Sequence, residues 1–233
     1  MTLQPTLPIR AVAHPSLALL FDMDGVIVDS MPLHTKAWEA HLTRHGLPPD
    51  AAAKRMHGKR NDQLVRDLFG EHLDDDAVNA HGAEKEELWR DLMRGRIHEF
   101  MIEGVVDFIR RHPANPLAVG SNAEPANIEF VLEGSGLKDA FRVILDGHQV
   151  ERPKPHPDLY LKAAQLLETA PGDCIVFEDS PTGLAAARAA GTRVVAINSA
   201  GLADLGGPVH LEIPHFSDPR LDTWLLTQLP GTR

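Results

Sequence analysis

The chain contains a single cysteine, Cys174, in 233 residues, so no disulfide can form within it. That cysteine lies inside the apolar run Cys174-Ile175-Val176-Phe177, where a small buried hydrophobe is expected in place of a reactive thiol. No apolar run approaches the length needed to cross a bilayer. Residues 1–15 hold three prolines and no sustained apolar centre, so they read as an irregular leader and not as a signal peptide. Positive charge is in deficit: 23 Lys and Arg against 33 Asp and Glu give a formal net charge of −10, which argues against nucleic acid or an anionic membrane as partner. Repeats and low-complexity tracts are missing. The 13 histidines show no paired ligand spacing, so zinc is not expected. These absences leave an ordinary soluble protein, expected in the cytoplasm.

What is present is enough for a full core, because 43% of the residues are hydrophobic and 24% are charged. Short apolar runs that read as buried strands occur at 17–21, 117–120, 142–145, 175–177 and 193–197. Helical segments lie between most of them, at 126–133, 158–167 and 182–190, the last ending at Gly191 where a C-cap is expected. This alternation predicts an α/β fold with a parallel sheet covered on both faces. The stretch 33–100 breaks the rhythm with helical segments only, and Asp74-Asp75-Asp76 reads as the start of one of them. A helical insertion after the first strand is the simplest arrangement.

The chemistry gathers at the strand ends. In Leu19-Leu20-Phe21-Asp22-Met23-Asp24-Gly25, two carboxylates stand two residues apart where an apolar strand breaks at a glycine. A buried acidic pair repels itself by about 4 kcal/mol at close range and an effective dielectric of ~20, so it calls for a cation or a shared proton. Ser121 and Asn122 follow the second strand, just before a helix whose free N–H groups favour an anion, although a serine there also serves as a cap. Glu178 and Asp179 follow a later strand, and Lys154 is fixed between Pro153 and Pro155, either as a rigid turn or with its amine aimed. Four carboxylates with one lysine and one hydroxyl at one sheet edge suit Mg²⁺, a hard cation that keeps open positions for water and phosphate.

Four ordered motifs, Asp22-Met23-Asp24-Gly25-Val26, Ser121, Lys154-Pro155-His156-Pro157-Asp158 and Glu178-Asp179-Ser180-Pro181-Thr182-Gly183, resemble those of the haloacid dehalogenase superfamily, in its β-phosphoglucomutase-like branch. The resemblance implies a Rossmann-like, doubly wound parallel sheet core at 16–32 and 104–233, with an α-helical cap at 33–103. It implies Asp22 as nucleophile and Asp24 as general acid and base. Phosphate would be held by Ser121, Asn122 and Lys154. Mg²⁺ would be held by Asp22, the Asp24 backbone carbonyl and Asp179, with Glu178 assisting. His34, Lys59 and Arg60 resemble cap positions that face the substrate. The second aspartate excludes the dehalogenating branch, because halide leaves without a proton.

After Ser121 the mutases offer a second serine and a lysine for a distal phosphate, whereas this chain reads Asn122-Ala123-Glu124-Pro125. A second phosphate is therefore poorly served. The expected function is a Mg²⁺-dependent phosphatase acting on a small phosphorylated metabolite such as a sugar phosphate. The alternatives are β-phosphoglucomutase and inorganic pyrophosphatase, and beyond them a non-catalytic binding module that no residue supports. A monomer is expected. The segment after Ala200 is expected to complete the sheet edge.

Overall fold

The computed structural model describes residues 16–52 and 61–228. Six strands, β1 (Ala18–Phe21), β2 (Leu117–Ser121), β3 (Val143–Asp146), β4 (Cys174–Glu178), β5 (Arg193–Ile197) and β6 (Leu211–Ile213), form one sheet in the order β3-β2-β1-β4-β5-β6. Every pairing is parallel. The chain winds from β1 to one edge and then, from β4, to the other. This reversal leaves a crevice beyond the carboxyl ends of β1 and its neighbours, where ligands of such sheets bind. Five strands match the apolar runs of the sequence. The sixth is three residues long, too short to show a period.

Side chains alternate along β1, and the two faces have separate cores. Leu19 and Phe21 pack under α4 (Val105–Arg111), α5 (Pro125–Gly134) and α8 (Pro219–Thr227). Ala18 and Leu20 pack under α6 (Asp158–Leu166) and α7 (Pro181–Ala189). Phe21 stacks on Phe177 with ring centroids 4.8 Å apart and meets Phe108, Phe141 and Phe216. Burying such a ring is worth about 1.5–3 kcal/mol, so this aromatic cluster fixes the site-bearing ends of β1 and β4 relative to each other.

Between β1 and α4 the chain forms α1 (Met31–Arg44), α2 (Asn61–Phe69) and α3 (Asp75–Met93). Trp38, Leu42, Leu64, Val65 and Val78 make a small core of their own. Asp74 caps α3 by accepting the Ala77 N–H at 2.8 Å, as the acidic run predicts. The outgoing and returning crossings lie side by side: Asp29 N donates to Phe100 O at 2.7 Å and Ile102 N to Ile27 O at 3.0 Å. The return turns at Gly104, φ +79°, where a Cβ would overlap Ser217. Among the described residues, no helix is long and apolar enough to cross a membrane.

One expectation fails in this helical region. The histidines are not all scattered: His41 of α1 and His45, the residue that caps its end, stand four apart and meet His81 and Glu84 of α3. Four residues make just over one helical turn, which places both rings on one face.

Candidate active site

Asp22 follows the last residue of β1, and its N–H still bonds Phe177 O at 3.0 Å. In strand parity it lies on the same side as Ala18 and Leu20, toward α6 and α7. There Lys154 Nζ lies 2.9 Å from Asp22 Oδ1 and 2.7 Å from Glu178 Oε1. The first is an ion pair without hydrogen-bond alignment, since Asp22 Oδ1 has no hydrogen-bond partner among the described residues. Glu178, fully buried at the end of β4, is fully engaged. Its Oε1 also accepts the Tyr160 hydroxyl at 2.8 Å, and its Oε2 accepts the Asp179 and Ser180 N–H groups at 3.0 and 3.2 Å. A Cβ at Gly183 would overlap this carboxylate, so the glycine in the first turn of α7 makes room for it. Glu178 is an anchor that aims Lys154, which answers the two readings of that lysine in favour of a directed amine.

Oxygens of Asp22, Glu178 and Asp179 lie within 4.8 Å of one another, an arrangement that can hold a metal ion. Gly25, at φ +76°, leaves open the space that the Asp179 carboxylate fills. Burial pushes Asp22 up to about 7, with Lys154 opposing and the Glu178 and Asp24 carboxylates adding to the rise. Asp179 is pushed up to about 9 by burial and then by Glu178 and Asp22. Burial works against the Lys154 charge, but Asp22 and Glu178 outweigh it and hold the ammonium above the ordinary lysine range. Two buried carboxylates and a partly buried third against one ammonium, with only oxygen donors, fit a hard divalent cation. The Asp24 carboxylate does not join this group. It would reach a metal only through its backbone carbonyl.

Asp24 instead faces the helical region. His34 Nε2 of α1 lies 3.8 Å from Asp24 Oδ1, a buried oxygen with no hydrogen-bond partner among the described residues. His34 stacks on Trp89 at 4.8 Å, with its planes 10° apart. Behind it, Lys85 Nζ lies 3.0 Å from His34 Nδ1 and 2.6 Å from Glu86 Oε1. An ammonium only donates, so Nδ1 is the acceptor and Nε2 carries the proton, directed at Asp24. Burial lowers Lys85, and the neighbouring Glu86 opposes that fall.

Glu86 is further held by Asn61 and by Asn127 of α5, the latter at 2.7 Å. Lys85, Glu86, Asn61 and Asn127 were not expected from the sequence. A signal existed: Lys85 falls among Val78, Trp89 and Met93 on the buried face of α3, where a charge needs a partner.

Ser121 is buried at the end of β2, and its Oγ accepts the Ala123 N–H at 3.1 Å, a cap-like bond. Asn122 Nδ2 donates to Lys154 O at 3.4 Å, tying the β2 end to the lysine loop. Lys59 and Arg60 lie outside the described residues.

Residues 17–191 match the family described as haloacid dehalogenase-like hydrolase. The fructose-1-phosphate phosphatase YqaB of Escherichia coli is 34% identical over 179 residues, which span 76% of this chain and 94% of that protein. The chain belongs to the haloacid dehalogenase-like hydrolases. Hexitol phosphatase A of Escherichia coli is 32% identical over 193 residues, spanning 77% of this chain and 82% of its own. In fold, this haloacid dehalogenase-like hydrolase matches the β-phosphoglucomutase of Clostridium difficile with a TM-score of 0.75 at 20% identity, over 89% of this chain and 96% of that one. The member described here is an enzyme with phosphatases among its relatives.

Proposed function

We propose that this enzyme is a Mg²⁺-dependent phosphatase that hydrolyses a small sugar phosphate through an aspartyl-phosphate on Asp22. The observation that carries the reading is the pairing of Asp22 with Lys154 at 2.9 Å beside Asp179 at the crevice, with Asp24 held apart against His34. Residues 33–103 would act as the cap over this crevice. Asp22, the Asp24 carbonyl and Asp179 would hold Mg²⁺, while Glu178 fixes Lys154. Bound there, the cation supplies charge neutralisation for the phosphoryl oxygens.

In the first step an Asp22 oxygen attacks phosphorus, the bond to the ester oxygen breaks, and Asp24 gives that oxygen its proton. In the second, Asp24 takes a proton from water as the water oxygen attacks phosphorus, which frees Asp22 and yields phosphate. Lys154 and Ser121 would bear on the phosphoryl oxygens throughout. His34, aimed at Asp24 by Lys85, orients the carboxylate that moves the proton. The phosphatase relatives support hydrolysis over mutase chemistry, as does Ala123-Glu124 where a second phosphate would need donors.

The test is phosphate release with Mg²⁺ from a panel of sugar phosphates, including fructose 1-phosphate and β-glucose 1-phosphate, with pyrophosphate alongside. Turnover of one or more sugar phosphates is expected. Release from none, or conversion of β-glucose 1-phosphate to glucose 6-phosphate under a bisphosphate primer without net hydrolysis, rejects the proposal.

Stability should also report the cation. Asp22 and Asp179 both have folded values raised above the unfolded carboxylate range, so the folded chain keeps protons that the unfolded chain releases. Without metal, that contribution is complete below about pH 4 and is lost as pH rises through the folded values, on the order of a few kcal/mol. Added Mg²⁺ should therefore raise the melting temperature more at about pH 8 than at about pH 5, where protons compete for the same oxygens. An equal gain at both would contradict a cation on these carboxylates.

A further inference from the structure

The second cluster of ligating side chains lies at the outer end of the helical region, away from the aspartates. His41 projects from the last turn of α1 and His45 from the position that caps it, while His81 and Glu84 project from α3. His41 stands seven residues beyond His34, about 10 Å along the helix axis. Its ring is fully buried, and His41 Nε2 lies 3.1 Å from His81 Nδ1. Glu84 Oε2 lies 3.3 Å from His45 Nε2 and 3.7 Å from His41 Nδ1, an atom with no hydrogen-bond partner among the described residues. One donor atom from each of the four residues falls within 4.8 Å of the others.

We propose that His41, His45, His81 and Glu84 form a zinc site that clips α1 to α3. Four ligands held ~2.0–2.1 Å from a tetrahedral zinc lie about 3.3 Å from one another; His45 Nε2 and Glu84 Oε2 already stand 3.3 Å apart, and one donor atom from each of the four residues lies within 4.8 Å of the others, so small rotations of the rings close the tetrahedron. Three imidazoles and one carboxylate make a borderline donor set that suits zinc, unlike the all-oxygen set at Asp22. The imidazoles are available as ligands. Burial brings His41 down to about 4 and lowers His81 as well, so both are neutral at physiological pH and keep a lone pair.

Phe69 of α2 stacks on the His81 ring at 4.0 Å and meets His45 edge-on at 5.5 Å, an apolar wall that holds the rings in place. Arg44, 3.5 Å from Glu84 Oε1, is exposed and free to leave when a cation takes over that carboxylate. A four-ligand site closed in this way is structural, because no position is left for a substrate. Its effect is to tie together two helices, with His41 and His81 40 residues apart in the chain.

Metal-free full-length protein in excess Mg²⁺ is titrated with Zn²⁺ by calorimetry, and with Co²⁺ while visible absorption is followed. The expected result is one Zn²⁺ per chain, together with the intense visible bands of tetrahedral Co²⁺. Both should persist in Asp22→Asn. His45 and Glu84 lie toward the surface, so His45→Ala and Glu84→Gln are expected to fold. Each should weaken Zn²⁺ by at least about tenfold, the loss that even outer-shell changes cause, while phosphate release under Mg²⁺ stays at the wild-type rate. Zinc binding that is lost in Asp22→Asn and unchanged in His45→Ala overturns the proposal. So does the absence of binding at micromolar Zn²⁺, which would leave the cluster as a hydrogen-bonded set of neutral rings.

Discussion

Asp22→Asn is expected to abolish phosphate release, with kcat falling by roughly 10⁴- to 10⁶-fold, the range seen when one member of a covalent constellation is removed. The amide occupies the same volume at the end of β1, so the backbone bond to Phe177 and the aromatic cluster beneath it remain. It cannot act as the attacking carboxylate, and it removes one anionic oxygen from the group that includes Glu178 and Asp179. A second readout separates nucleophile from scaffold: wild-type protein quenched in acid during turnover should carry phosphate on the chain, and Asp22→Asn should carry none. Wild-type turnover by Asp22→Asn would show that another residue attacks phosphorus.

Lys154→Met carries the largest expected effect on stability. The ammonium is nearly inaccessible and stands between two buried carboxylates at 2.9 and 2.7 Å. Removing it leaves the buried Glu178 without its counter-charge and pushes Asp22 further toward its protonated form; breaking a buried pair by removing one partner typically costs about 3–5 kcal/mol. Urea unfolding without metal should show that loss near neutral pH and a smaller one with Mg²⁺, since the cation replaces part of the missing charge. The double variant Lys154→Met/Glu178→Gln should recover part of the stability, because the orphaned charge goes with it. A loss below about 1 kcal/mol in Lys154→Met alone would mean that the carboxylates already sit protonated and do not depend on the lysine. Activity should fall together with stability, and Mg²⁺ should restore the fold without restoring turnover.

Much of this was open to reading because parallel strands carry their message locally. Each buried strand is an apolar run ending at a polar residue, and the sheet's order places those ends along one edge, so Asp22, Ser121 and Glu178 could be found one strand at a time. The sequence places Asp22, Lys154 and Glu178 at one site, and Glu178, expected to assist at the metal, falls within the group that could hold one. What the sequence does not show is that its oxygens also accept hydrogen bonds from Lys154, Tyr160 and the first N–H groups before α7. That arrangement depends on α6 packing against the sheet, which brings Tyr160 across 18 residues.

Lys85 and Glu86 are hidden in the sequence for a related reason. A charged pair on a long helix reads as a solvated face until the neighbouring helices are placed, and only then does its burial against His34 and Asn127 become visible. The histidine cluster shows the same limit more sharply. His41 and His45 are a helical turn apart, yet a pair of ligands is not a site, and the other two come from a helix about 40 residues on.

The sequence by itself determined the α/β alternation, the order of the motifs and the residues that stand at the strand ends, because hydrophobic period and strand termination are properties of neighbouring residues. Tertiary structure alone decided which of those carboxylates are already satisfied, which face of the helical insertion meets Asp24, and that two of its helices bring three imidazoles together. Those outcomes depend on distances between segments far apart in the chain, and on burial, which turns a common surface charge into one that must find a partner.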